Sequence, residues 1–220
     1  MSNEKVAIIG VDPASGPDST VISIRGTSIH VDLTRLAEPA GPDAFETIIG
    51  DLLADEGGDK LTNRLADKGG LTRWGISKRA HPDVDVANLT RDGAVEIYRA
   101  KYFDAARIAD LPVVLAKLVF DGAVNHGVPA ATFMLQSAYN AKASGDNRLK
   151  MDGVIGDKTL AAIAALDSIQ VLDLTMLFCA ERMKRYGSDA TWSANGNGWS
   201  NRLFGNITQA LMQGVTTETV

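Results

Sequence analysis

Residues 43–58 read DAFETIIGDLLADEGG, and this stretch decides the fold class. Phe45, Ile48, Ile49, Leu52 and Leu53 recur at the spacing of one helix face. Asp43 stands where a first turn favours an acid, and Gly57–Gly58 closes the segment as glycines do past a helix end. The same pattern returns downstream. Spacing predicts helices over 90–103 with Thr90 as N-cap, over 112–127 and 129–143 with a proline opening each, and over 157–166, 168–186 and 199–212. Residues 57–80 and 144–156 read as loops. Upstream, KVAII (5–9), TVISIR (20–25) and SIHVDL (28–33) are short and β-branched, with turn chemistry between the first two. They predict a small N-terminal β hairpin or meander over residues 1–40, and Ala37–Pro42 reads as a linker. The expected fold is mainly α.

Composition narrows the function classes. The chain has 220 residues, enough for one or two domains, and is 45% hydrophobic and 22% charged, as globular chains are. Lys and Arg number 22 against 27 Asp and Glu, a net charge of −5. That balance gives no overall basic field, so binding nucleic acid by charge alone is disfavoured. Cys179 has no partner for a disulfide and reads as a small buried hydrophobe. Val6–Ile9 is too short for a signal peptide or a membrane span, so the expected location is the cytoplasm where the chain is made. No CxxC pair, HExxH or Walker sequence is present, and neither a metal nor a cofactor is expected.

The chemistry centres on Glu56. It follows an apolar helix and faces the negative end of the helix dipole, with Asp55 beside it. Both effects raise a carboxyl pKa, which is what a general acid needs near neutral pH; the plainer reading is a solvated acid pair. Asp67 lies in the loop that follows, then Gly69–Gly70 and Thr72. A loop folded back on the helix end brings a second carboxylate and a hydroxyl opposite Glu56, the equipment of glycoside hydrolysis. Trp74, Trp192 and Trp199 sit in or beside polar loops, where a ring stacks on a sugar or plugs the surface. Asp121 and Asn125 share a helix face beside His126, and either touch substrate or brace the loop. A third reading, from IIGVDPASG, is a metal-binding Asp12 at a strand end as in RNase H-like nucleases; that fold needs more strands than this chain offers.

These motifs taken together resemble a known family. EGGDKLTNRLADKGGLTRWGIS (56–77) is similar to the active-site segment of the phage-type N-acetylmuramidases of glycoside hydrolase family 108: an EGG, an Asp-Xaa-Gly-Gly-Xaa-Thr turn at 67–72, and an aromatic-Gly-Ile at Trp74–Ile76. Asp121, Asn125 and Gly127 fit its next helix. Leu135, Gln136, Asp152, Gly153, Gly156 and Thr159 look like its peptidoglycan-binding segment, and Arg182, Tyr186, Trp199 and Arg202 also fit. The resemblance implies a lysozyme-like helical fold, with a catalytic region at 41–115 and a peptidoglycan-binding region at 116–215 packed on it. It implies an endolysin-type enzyme that cuts the β-1,4 bond between N-acetylmuramic acid and N-acetylglucosamine, with Glu56 as general acid. Asp67 and Thr72 are its implied water-positioning partners, and Trp74, Asn125, His126 and Gln136 its substrate contacts. This chain has Asp59 where the family often has Tyr, which makes Asp59 a rival second carboxylate. The implied partner is peptidoglycan, reached by a monomer released through a holin-type pore. A wall-binding protein without activity, and a chitinase-like glycosidase, are the alternatives.

Overall fold

The computed structural model describes residues 8–10, 19–24, 27–55, 61–62 and 70–219. Three strands come first: β1 (Ile8–Gly10), β2 (Ser19–Ile24) and β3 (Thr27–Asp32). Asp32 caps α1 (Leu33–Ala37), its carboxylate accepting from the Arg35 N–H at 3.1 Å. α2 (Ala44–Asp55) follows, then a short hairpin of β4 (Thr72–Arg73) and β5 (Ile76–Ser77). α3 (Arg91–Tyr98) starts at the expected cap, Thr90, whose hydroxyl accepts from the Gly93 N–H, and continues into a π turn over Arg99–Asp104. Then come α4 (Val113–His126), α5 (Val128–Asn140), α6 (Asp157–Ala164), α7 (Ser168–Gly187), α8 (Trp192–Met212) and β6 (Val215–Thr219).

α4 is the axis on which α5, α7, α8 and α2 pack. Residues Val114 to Ala123 are all buried, so the helix is enclosed on every side. Against it lie Ile48, Ile49, Leu52 and Leu53 of α2, buried as the opening pattern requires. Phe45, Phe103 and Phe120 meet edge to face at 5.2–6.3 Å between ring centroids. Each such buried side chain contributes roughly 1.5–3 kcal/mol. One cluster of buried residues runs from Leu36 to Ala210, so the regions expected at 41–115 and 116–215 share a single core.

The N-terminal strands form the expected antiparallel meander β1–β2–β3, and a fourth strand from the C-terminus, β6, extends it beside β3. Val215 pairs with Val31 and Thr217 with Ile29. The β-branched run VTTET carried that signal, but only tertiary pairing gives a strand so short its place. One expectation needs correction: helix α8 begins at Trp192 and not at 199. Its SANGNG stretch is a poor helix former, and packing overrides the propensity. Trp192 lies so close over Gly196 that a Cβ there would meet its ring at 2.7 Å.

A backbone hydrogen bond near the sheet's end ties it to the helical body. The Asp32 N–H donates to the Gly214 carbonyl at 2.8 Å, and a Cβ on Gly214 would lie 2.7 Å from Leu36 Cγ and 2.8 Å from the Asp32 carbonyl oxygen. Backbone cannot yield as a side chain does. Gly214→Ala should therefore cost about 1–3 kcal/mol, and thermal melts should show a fall of roughly 2–4 °C per kcal/mol.

Candidate functional site

The site expected at the end of α2 is framed by described residues on both sides. α2 ends at Asp55, and Thr62 then bridges Thr72 through paired backbone hydrogen bonds of 2.8 and 2.9 Å. Thr72 pairs on its other side with Ser77. The chain thus returns to a three-rung antiparallel patch between residues 62 and 77. Glu56, Asp59 and Asp67 lie outside the described residues, as does Asp12.

Thr72 is described. Its hydroxyl donates to the Gly70 carbonyl at 3.1 Å. A carbonyl only accepts, so that proton is committed and Thr72 Oγ1 is left as an acceptor. Trp74 and Gly75 form the β4–β5 turn with φ of 54° and 75°, the positive pair that a type I′ hairpin demands. Glycine adopts this readily; tryptophan does so under strain. The Tyr98 hydroxyl, donating to the Trp74 carbonyl at 3.0 Å, holds it there. The Trp74 indole N–H and Arg73 Nε are buried and have no hydrogen-bond partner among the described residues.

Asn125 and His126 meet elsewhere, at the C-terminal end of α4. They line a cavity of about 440 Å³ with Arg185, Tyr186, Asp189, Trp199 and Arg202. Its floor is a buried ion network. The Asp121 carboxylate accepts from Arg182 at 2.6 Å and from Arg202 at 2.8 Å, and Arg182 also donates to the Tyr186 hydroxyl at 2.7 Å. Arg182 is 0% and Asp121 4% exposed. Burial works against ionising Asp121, but the two guanidinium groups outweigh it and hold its carboxyl below the usual range. Asp121 thus ties α4 to α7 and α8. Asn125 Nδ2 donates to the Asp121 carbonyl at 2.8 Å. His126, Tyr186, Trp199 and Trp192 follow one another as a ladder of rings at 5.2, 5.3 and 6.4 Å. The sequence reading passed over Arg185 and Asp189; Arg185 sits one helical turn from Arg182, and charge at that spacing was its only signal.

Burial, and then the charges of Arg182 and Arg185, push the His126 pKa down to about 4. The folded state therefore holds fewer protons than the unfolded chain between about pH 6.5 and 4. His126 should make stability fall as pH drops through that window and add no further loss below it. Comparing melting temperature against pH for wild type and His126→Gln should show a flatter curve for the variant from pH 6.5 to 4.

Gln136 does not join either group. It is 1% exposed, and its amide is fully engaged with the loop after α5. Nε2 donates to Asp152 at 2.8 Å and to the Val154 carbonyl at 3.1 Å, while Oε1 accepts from the Asp152 and Gly153 N–H groups. Asn140, one turn on, grips Leu149 in the same way. This geometry makes Gln136 a clamp for the loop and leaves no amide group for a ligand. Cys179 is buried, and burial pushes its thiol up to about 11, so it is no nucleophile at neutral pH. Among the described residues no cluster of His, Cys, Asp or Glu has the form of a metal site, and no helix is long and apolar enough to cross a membrane.

Comparison with known proteins bears on this geometry. Residues 49–127 match the model of a family described as glycosyl hydrolase 108. That span holds the α2 end, the hairpin, Asn125 and His126. The structure of Brucella abortus SagA is similar to this one, with a TM-score of 0.66 and 27% identity over 78% of this chain and 96% of that one. No curated protein matches.

Proposed function

We propose that this chain is a glycosyl hydrolase 108 enzyme, a muramidase-like hydrolase of peptidoglycan, and that it cuts the β-1,4 bond between N-acetylmuramic acid and N-acetylglucosamine with Glu56 as general acid. The observation that carries this is the frame around Glu56. An apolar helix ends at the residue before it, and the chain returns as a hydrogen-bonded hairpin bearing Thr72 and Trp74. Glu56 protonates the departing glycosidic oxygen. A water that donates one hydrogen to Thr72 Oγ1 and the other to the Asp67 carboxylate keeps its lone pair free to attack the anomeric carbon. Asp59 is the alternative base. An attacking water of this kind needs the wider carboxyl separation of an inverting enzyme, about 6.5–9.5 Å. Trp74 and Asn125 contact the glycan. In its setting the enzyme is an endolysin that waits in the cytoplasm for a holin-type pore and acts as a monomer.

Digestion of purified peptidoglycan, followed by borohydride reduction and mass spectrometry, tests the bond. Reduced N-acetylmuramic acid at the new ends supports the reading, and NMR of the fresh product should show the inverted anomer. Reduced N-acetylglucosamine at the new ends would point to a glucosaminidase. Intact glycan with a folded protein that still sediments with cell wall would point to the binding protein.

A further inference from the structure

We propose that the cavity between the ends of α4, α7 and α8 is a subsite for an N-acetylated sugar carrying a carboxylate. The inference rests on peptidoglycan being the substrate class, and it assigns one sugar type to one place. Three features of the cavity support it. The first is charge. Arg185, Arg202 and Asp189 line the cavity, and behind them the buried Asp121 pairs with Arg182 and Arg202, which leaves an excess of one positive charge. Among the described residues no carboxylate pairs with Arg185, and its side chain is exposed at the rim. Burial lowers the His126 pKa most, and the charges of Arg182 and Arg185 lower it further. An anion is therefore favoured here although the whole chain is acidic.

The second feature is the wall. Tyr186 and Trp199 lie with ring centroids 5.3 Å apart and a 30° tilt, both lining the cavity. An aromatic face beside a cation suits a pyranose ring that bears a charged substituent. His126 Nε2 is buried and has no hydrogen-bond partner among the described residues. A polar atom so placed needs one from outside the chain, and the ligand's N-acetyl or hydroxyl group supplies it.

The third feature is position. Arg202 also lines a neighbouring hollow with Asn201, Gly205, Asn206 and Gln209. Asn206 packs beside Ile48 and Leu52 of α2. One face of α8 therefore joins the cavity to the helix that precedes Glu56.

The carboxylate has two sources in peptidoglycan, the lactyl group of a stripped strand or the stem peptide. N-acetylmuramic acid carries the first and N-acetylmuramyl dipeptide the second, and N-acetylglucosamine carries neither. We would titrate each into the full chain and follow the Trp199 indole N–H by NMR, with Trp199→Phe to assign it. At least one carboxylate ligand should bind about tenfold tighter than N-acetylglucosamine, the gain of a charge-assisted hydrogen bond at a partly solvated site. Arg185→Gln should remove that preference, and so should raising the salt to about 1 M, where the Debye length falls to about 3 Å. Tighter binding of the first ligand assigns the lactyl group, and of the second the stem peptide. Equal binding of all three ligands, or a preference that survives Arg185→Gln, overturns the subsite. Cleavage is not needed for this readout. A preference without hydrolysis would sink the muramidase reading and leave the subsite standing, and hydrolysis without a preference would do the reverse.

Discussion

Glu56→Gln should lower the rate of peptidoglycan hydrolysis by about 10²–10⁴-fold and leave the melting temperature unchanged or slightly higher. The two halves of this result have different physical origins. A glutamine amide matches the size of the carboxyl group but has no proton to give to the leaving oxygen. A carboxylate next to the C-terminal end of α2 also opposes the helix dipole, and Asp55 adds like charge. Removing it relieves about 0.3–1 kcal/mol of repulsion. Under the proposed mechanism catalytic need and helix stability conflict at this position, and the substitution separates them. Initial rates of reducing-end release and thermal melts of both proteins are the measurements. A variant as active as wild type would remove Glu56 from the mechanism. A variant that lost activity only by melting many degrees lower would make it a structural residue. Asp67→Asn and Asp59→Asn, assayed alongside, identify the second carboxylate by which one lowers the rate.

The helical class was legible because α2, α4 and α5 bury one continuous face or all faces, so their spacing and their prolines and glycines state the fold locally. Thr90 capping α3 is of the same kind, a signal contained within four residues. What escaped depended on distant partners. β6 has a strand-like sequence but no meaning until it lies beside β3. The first turns of α8 oppose their own propensity and hold because Trp192 packs over Gly196 and against Trp199. The site divides in the same manner. Thr72 and Trp74 were readable from a motif, and the hairpin brings them onto adjacent backbone. His126 and Asn125 were readable as polar residues on an apolar helix, but their cavity needs Tyr186 and Arg185 from α7 and Trp199 from α8. Gln136 shows the limit: a buried glutamine that clamps a loop and one that grips a sugar look alike in sequence, and only its hydrogen bonds tell them apart.

Asp121→Leu should be the most destabilising single change at the cavity. It strands Arg182, whose guanidinium is 0% exposed, without its 2.6 Å partner. Removing one member of a buried ion pair costs about 3–5 kcal/mol, which for a chain of this size is a fall in melting temperature of roughly 6–20 °C. Arg182→Met added to Asp121→Leu should recover much of the loss, because the unpaired charge has gone and apolar groups of similar volume replace it. Recovery in the double variant would show that the cost lay in the stranded cation. A double variant as unstable as the sum of two independent losses would show that packing around α4 was damaged instead. The pH dependence gives a second check. The carboxyl of Asp121 is depressed in the folded state, so its contribution is present above the ordinary Asp pKa and lost as pH falls through the lower folded value. Wild type should lose stability first between about pH 6.5 and 4, where His126 resists protonation, and again at lower pH, where Asp121 must take up a proton. Asp121→Leu should lack the second loss. Since the same carboxylate anchors Arg202 and, through Arg182, the Tyr186 hydroxyl, the pair that stabilises α4 against α7 and α8 also sets the floor on which the proposed sugar subsite is built.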